Sequence, residues 1–145
     1  MAVLFEKTST LDGLSEVADA IGRILMGGDG FTLLLTAEMG SGKTTFVRYM
    51  LNSLGLSEDT PVVSPTYTLM NEYKVGDHWF AHLDLYRFTA GACLEELGVL
   101  DTREFRGIFV EWPDQSGQTD ELHPTHQLTI EMDGLERRSY RLESF

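Results

Sequence analysis

A lysine followed at once by two hydroxyl residues, Lys43-Thr44-Thr45, closes the glycine-bearing stretch Ala37-Glu38-Met39-Gly40-Ser41-Gly42. The apolar run Phe31-Thr32-Leu33-Leu34-Leu35 precedes it and a helical pattern follows. This order of strand, glycine loop and helix suits the binding of a nucleoside triphosphate. Glycines let successive backbone N–H groups turn inward on phosphate oxygens, and the N-terminus of the next helix adds partial positive charge. The Lys43 ammonium would reach the β and γ phosphates, and the Thr44 hydroxyl would ligate the Mg²⁺ that bridges them. Gly40, Ser41, Gly42, Lys43, Thr44 and Thr45 are therefore the candidate nucleotide-binding residues. The usual pattern, G-x-x-x-x-G-K-[ST], opens on glycine where this chain has Ala37. Alanine suits that position provided its φ is negative.

Hydrolysis at such a loop needs acids at strand ends, where a carboxylate can hold the metal or orient the attacking water. Two candidates stand out. Asp84 ends the stretch from Trp79, and Glu111 directly follows Ile108-Phe109-Val110. Each is an apolar strand closed by an acid, and at least one should face the metal. The segment Ser64-Pro65-Thr66-Tyr67-Thr68-Leu69 offers hydroxyls. It reads either as a turn into a strand, with Pro65 setting the backbone, or as a switch loop that senses the γ-phosphate. His82 lies two residues before Asp84, so in a strand the two share a face. A hydrogen-bonding role suits His82 better than a metal-ligand pair with the acid, while His123 and His126 sit in or beside a loop and read as exposed. Arg87 is a phosphate contact or one half of a surface ion pair; Trp112, beside Glu111, is core, interface or part of the site.

These residues need a frame. Val3-Leu4-Phe5 reads as a short strand, and Leu14, Val17, Ala18, Ile21 and Leu25 mark one face of a helix ending near Gly27-Gly28. Lys43 to Leu54 forms the next helix, with Phe46, Val47, Met50 and Leu51 as its buried stripe and Gly55 beyond its end. After Pro61 the pattern becomes extended: Val62-Val63, Thr66 to Tyr73, and Trp79 to Asp84, the last two paired as a hairpin about Val75-Gly76-Asp77. A short helix around Leu94 to Leu97 precedes the strand Ile108 to Val110. A polar loop, Asp114 to Asp120, then leads to Gln127–Met132 and Arg138–Leu142, joined through Asp133-Gly134, a dipeptide that favours a tight hairpin turn. The expected fold is α/β: one domain over residues 1–145, built as a three-layer phosphate-loop domain with a mixed, mainly parallel sheet and a C-terminal β-hairpin.

Bulk properties limit what surrounds the loop. A chain of 145 residues buries a real core but has no room for a second domain. Eleven Lys and Arg against 23 Asp and Glu give a formal charge of −12, a surface that repels a bare polyanion. Any work on nucleic acid would pass through a more basic partner. Cys93 is the single cysteine, which leaves no intramolecular disulfide and points to a reducing compartment. The N-terminal residues have no secretory pattern and no apolar run has the length of a membrane span, so the expected location is the cytoplasm.

The order of these motifs resembles the bacterial TsaE (YjeE) family. It comprises the loop with its double threonine, Ser64-Pro65-Thr66-Tyr67-Thr68-Leu69-Met70-Asn71-Glu72-Tyr73, His82-Leu83-Asp84-Leu85-Tyr86-Arg87, Glu95-Glu96-Leu97-Gly98 and Val110-Glu111-Trp112-Pro113. The combination is far more specific than the loop alone and runs from about Leu33 to Pro113. The tail matches only in its alternation and in Arg137-Arg138. The resemblance implies a small ATPase needed to form threonylcarbamoyladenosine in tRNA, an accessory subunit acting with the TsaD and TsaB proteins. It implies ATP and Mg²⁺ as ligands, with Thr44 and Glu111 on the metal, Gly40 to Thr45 around the phosphates and Ser64 to Thr68 as the switch-like loop. Lys43, Asp84 and Thr66 are the catalytic candidates and Trp112 gains functional weight; family members often carry a threonine near the adenine in the N-terminal region, where this chain has Thr8, Ser9 and Thr10 without a match to one of them. A small-molecule kinase is the alternative, but only Arg87, Arg103 and Arg106 stand between the hairpin and Glu111 to build a lid. A regulatory GTPase lacks a guanine-reading N-K-x-D stretch.

Overall fold

The computed structural model describes residues 1–38, 40–65, 68–86, 104–112 and 119–145. Strand β1 (Ala2–Thr10) leads through a single 3-10 turn, Leu11–Gly13, into helix α1 (Leu14–Leu25). Strand β2 (Phe31–Ala37) and helix α2 (Lys43–Leu54) flank the glycine loop. A hairpin of β3 (Met70–Val75) and β4 (His78–Asp84) follows, then β5 (Gly107–Glu111), a 3-10 turn at Thr119–Leu122, and the hairpin of β6 (His126–Asp133) and β7 (Arg137–Ser144). The short N-terminal strand expected at Val3–Phe5 is thus nine residues long. The helix expected around Leu94 to Leu97 lies outside the described residues.

All seven strands join one sheet in the order β1-β7-β6-β2-β5-β4-β3. Its centre, β6-β2-β5-β4, is parallel, and β1, β7 and β3 are attached antiparallel. The sheet is therefore mixed as expected but not mainly parallel. Parallel neighbours need long crossovers, whereas the two-residue turn at Gly76-Asp77 and the short loop after Asp133 bring their strands back antiparallel. The C-terminal hairpin is present, although its loop holds three residues, Gly134 to Glu136, because Asp133 still pairs with Arg137.

The central strand β2 is buried from Phe31 to Leu35, which explains an apolar run without alternation. Its two faces feed two cores. Leu33 and Leu35, with Phe80, Phe109, Leu128 and Ile130 from neighbouring strands, meet both helices. Leu34, Ala81, Leu83, Leu85, Val110 and Leu122 make a smaller core on the opposite face. Helix α1 turns Leu14, Val17, Ala18, Ile21 and Leu25 inward at helical spacing, and α2 does the same with Phe46, Val47, Met50 and Leu51. Helix α2 stops where Gly55, at φ 122°, turns the chain and the Gly55 and Leu56 N–H groups bond back to the Asn52 and Leu51 carbonyls, a Schellman ending. Among the described residues both helices lie on one face of the sheet, so a third layer is not among them.

Candidate nucleotide site

The C-terminal ends of the parallel strands β2, β5 and β4 converge on one spot, the usual place for a ligand in an α/β sheet. In the parallel register Leu35 pairs with Glu111 and Glu111 with Asp84. Cross-strand partners share a face, so both carboxylates stand on the helix side, beside the start of α2. Two apolar strands terminated by acids thus become a pair of buried carboxylates, Asp84 at 2 % and Glu111 at 3 % exposure. This pairing depends on β4 and β5 being neighbours, which no local pattern specifies.

The loop enters α2 through Gly40 at φ 80° and Gly42 at φ 106°. A Cβ added at either glycine would meet nothing within 4 Å, so backbone conformation, and not crowding, requires glycine there. Ala37 ends strand β2 and is not among the described non-glycine residues with positive φ, Leu69, Trp112 and His123. Alanine therefore fits there without strain. Ser41 is buried, its hydroxyl on the Glu38 carbonyl.

Lys43 is buried at the first position of α2. Its ammonium donates to the Ala37 carbonyl at 3.2 Å and lies 3.7 Å from the centre of the Trp112 ring. Burial lowers its pKa below the ordinary lysine value, while Glu111 and Asp84 oppose the drop. Trp112, at φ 56°, also meets Tyr86 edge-on at 5.1 Å. The Thr44 hydroxyl lies 2.9 Å and 3.2 Å from the two oxygens of Glu111, and His82 Nε2 contacts the same carboxylate. Asp84 accepts from the Ser64 hydroxyl at 3.0 Å and from the Tyr86 N–H at 2.9 Å. Lys43, Thr44, Thr45, Ser64, Asp84, Glu111 and Trp112, with Gly40 and Gly42, line one cleft of about 340 Å³. Thr66 and Arg87 lie outside the described residues. Helix-facing His82 bonds to an acid and His123 is exposed, but His126, expected to be exposed, is half-buried at the start of β6.

A second cleft of about 550 Å³ shares Gly40, Gly42 and Thr45 with the first. Thr10, Leu11 and Asp12 border it on one side, and Leu135, Glu136, Arg138 and Tyr140 from the β6–β7 hairpin on the other. Arg138 donates from Nε to the Ser41 carbonyl at 3.1 Å, tying β7 to the loop 97 residues away. The basic pair Arg137-Arg138 is visible in the sequence, but nothing there places Arg138 in the site. Its one legible signal was the alternation that puts Arg138, Tyr140 and Leu142 on one face.

Thr44 and Glu111 present hard oxygen donors within reach of each other, beside a glycine loop with open space above it. That donor set suits Mg²⁺, which takes one or two protein oxygens and completes its shell with phosphate oxygens and water. Among the described residues no group of three His, Cys, Asp or Glu side chains could hold a metal by protein ligands alone.

A strand, a glycine loop and a helix opening on Lys43-Thr44, set at the ends of parallel strands, are the build of the phosphate-loop α/β class. The profile of the threonylcarbamoyl adenosine biosynthesis protein TsaE matches residues 8–141, and the chain belongs to the TsaE family. It is therefore a member of a family of tRNA threonylcarbamoyladenosine biosynthesis proteins. TsaE of Aquifex aeolicus is 32 % identical over 108 residues, which cover 72 % of this chain and 73 % of that protein. TsaE of Nostoc is 42 % identical over 84 residues, 58 % of this chain and 47 % of the relative. TsaE of Haemophilus influenzae is 38 % identical over 82 residues, 56 % and 51 % of the two chains. The chain thus spans about half the length of the latter two. A crystal structure of Bacillus subtilis YdiB superposes with a TM-score of 0.66 over 99 % of this chain and 88 % of that one, at 23 % identity, and shares the fold.

Proposed function

We propose that this protein is a Mg²⁺-dependent ATPase that serves as an accessory subunit in forming threonylcarbamoyladenosine in tRNA, with TsaD and TsaB proteins as its partners. One observation carries the nucleotide reading: Lys43, Thr44, Asp84 and Glu111, from three separate segments, line a single cleft at the glycine loop. Family membership supports the pathway.

In this reading the triphosphate lies over Gly40 to Thr45 and the nucleoside extends into the larger cleft beside Thr10, Arg138 and Tyr140. Thr44 and Glu111 would hold Mg²⁺, which when bound neutralises charge on the β and γ phosphates. Lys43 has its ammonium only 3.7 Å from the Trp112 ring centre and faces the same cleft, so a phosphate oxygen can replace its bond to the Ala37 carbonyl. Asp84, which accepts from the Ser64 hydroxyl and the Tyr86 N–H and lines the same cleft, would orient the attacking water. Ser64, where the proposed switch segment begins, donates its hydroxyl to Asp84, which suits a loop that responds to the γ-phosphate.

A formal charge of −12 suits a subunit that docks on a basic protein complex better than one that grips tRNA itself. The test is to measure ATP and GTP binding with and without Mg²⁺, then phosphate release alone and with TsaD and TsaB. Saturable Mg²⁺-dependent ATP binding and capture of both partners are expected. Absence of nucleotide binding, or phosphate transfer to a small acceptor, would overturn the proposal.

A further inference from the structure

Glu111 is served from behind by a side chain that the hydrolytic scheme leaves idle. His82 is 0 % exposed, on β4, and paired in register with Phe109, two residue pairs before the Asp84–Glu111 pair and on the same face. Phe80, two residues before it, and Phe109, its register partner, are buried on the same face. Nε2 faces Oε2 of Glu111, while Nδ1 is buried with no partner among the described residues. A carboxylate that holds a cation only accepts hydrogen bonds, so in that role the proton of the contact sits on Nε2. The other tautomer would set two lone pairs against each other and bury an unanswered N–H at Nδ1. Packing and hydrogen bonding therefore both specify one ring orientation and one tautomer.

We infer that His82 is a positioning residue for the metal carboxylate, holding Oε2 of Glu111 from the core side so that the group presents its remaining acceptor sites to Thr44 and the cation. The inference rests on the proposed role of Glu111 as a metal residue. Without His82, a buried carboxylate flanked by the movable Thr44 hydroxyl and the Lys43 ammonium could rotate toward either. The chain would retain the ligand but lose its aim. This is the known logic by which partners behind a metal ligand set its orientation, and their loss typically weakens metal affinity ~10- to 100-fold.

The experiment is a Mg²⁺ titration of ATP binding, by calorimetry or by a fluorescent ATP analogue, on the full chain and on His82→Leu, His82→Gln, His82→Asn and Glu111→Ala. Nucleotide affinity is measured separately in EDTA. Leu fills volume without a donor, Gln places an amide N–H where Nε2 stood, and Asn is too short to reach. The Mg²⁺ midpoint should rise ~10- to 100-fold in His82→Leu and His82→Asn and return to within a few-fold of wild type in His82→Gln, with affinity in EDTA unchanged throughout. Wild-type midpoints in all three His82 variants, alongside a damaged Glu111→Ala, would overturn the role of His82 alone. Equal loss in the Leu, Gln and Asn variants, extending to binding in EDTA, would mean a merely structural histidine. A Glu111→Ala variant with a native Mg²⁺ response would instead remove the metal role of Glu111, and that of His82 with it. Should His82→Leu fail to fold, the contrast between Gln and Asn decides.

Discussion

Around Glu111 three side chains of different chemistry meet one carboxylate: the Thr44 hydroxyl, His82 Nε2 and, through space, the Lys43 ammonium. Nearby Asp84 shares the Lys43 field and is hydrogen-bonded to the Ser64 hydroxyl and the Tyr86 N–H. The two acids stand side by side but differ in their hydrogen-bond partners, which predicts different failures. Glu111→Ala should raise the Mg²⁺ needed for ATP binding, whereas Asp84→Ala should spare binding and lower phosphate release; binding isotherms and single-turnover assays on both variants check this. Equal loss of binding would place both acids at the metal. Lys43→Ala should lower the hydrolysis rate by ~10² or more, because a preorganised cation aimed at transferring phosphate cannot be replaced by water. Since Lys43 is buried at the start of α2, its circular dichroism and melting curve should be recorded too. A normal rate in a folded Lys43→Ala variant would remove the site from this loop.

At the scale of elements, close approaches show where strands and helices had to fit. A Cβ built on Gly107 would lie 2.2 Å from the Phe31 ring, because that ring lies across the start of β5. Gly107→Ala should therefore cost roughly 1–3 kcal/mol in chemical unfolding, the usual penalty for overpacking, and leave residual nucleotide affinity in the folded fraction intact. Strand β6 supplies a pH test. Burial lowers the pKa of His126 below its ordinary 6.5, so the folded chain resists a proton that the unfolded chain accepts. The sign follows: this contribution to stability is present above about pH 6.5 and is lost as pH falls toward the lower folded value. His126→Gln should flatten that part of the stability curve. Parallel slopes for the two proteins between pH 7.5 and 5.5 would contradict it.

For the molecule as a whole, ATP should bind the folded chain and not the unfolded one. At ligand 100-fold above its Kd the gain is about 2.7 kcal/mol, which should appear as a melting-temperature rise of several degrees with Mg²⁺ present and little with EDTA. The same protein should hydrolyse ATP slowly alone and faster with TsaD and TsaB. Among the described residues, Arg138 is the one arginine lining either cleft at the loop, and it is engaged with the Ser41 carbonyl. A cation supplied by a partner can add ~10³-fold or more in phosphate-loop proteins. Attraction between a chain of net charge −12 and a basic complex also weakens as salt screens it, so stimulation should fall along a salt series. Full-speed hydrolysis in isolation, unmoved by partners or salt, would count against an accessory role. No helix among the described residues is long and apolar enough to cross a membrane.

Local features were legible in the amino-acid order because their causes are local. The spacing of Leu14, Val17, Ile21 and Leu25 makes α1, the Gly40 and Gly42 pair before Lys43-Thr44 makes the loop, and Gly76-Asp77 between two extended runs makes a hairpin. The motif order was also enough to indicate the family that residues 8–141 match. Only the tertiary structure decided the rest. Strand order is a property of the sheet, so the balance of parallel and antiparallel neighbours, overestimated on the parallel side, depended on where β1 and β7 joined. Register placed Asp84 beside Glu111 and turned His82 onto the same carboxylate. Packing brought Arg138 to Ser41 across 97 residues. Spacing gives the face of each side chain but not its partner, because each contact arises when separate apolar surfaces are buried together and their polar atoms must find partners wherever the chain has been brought.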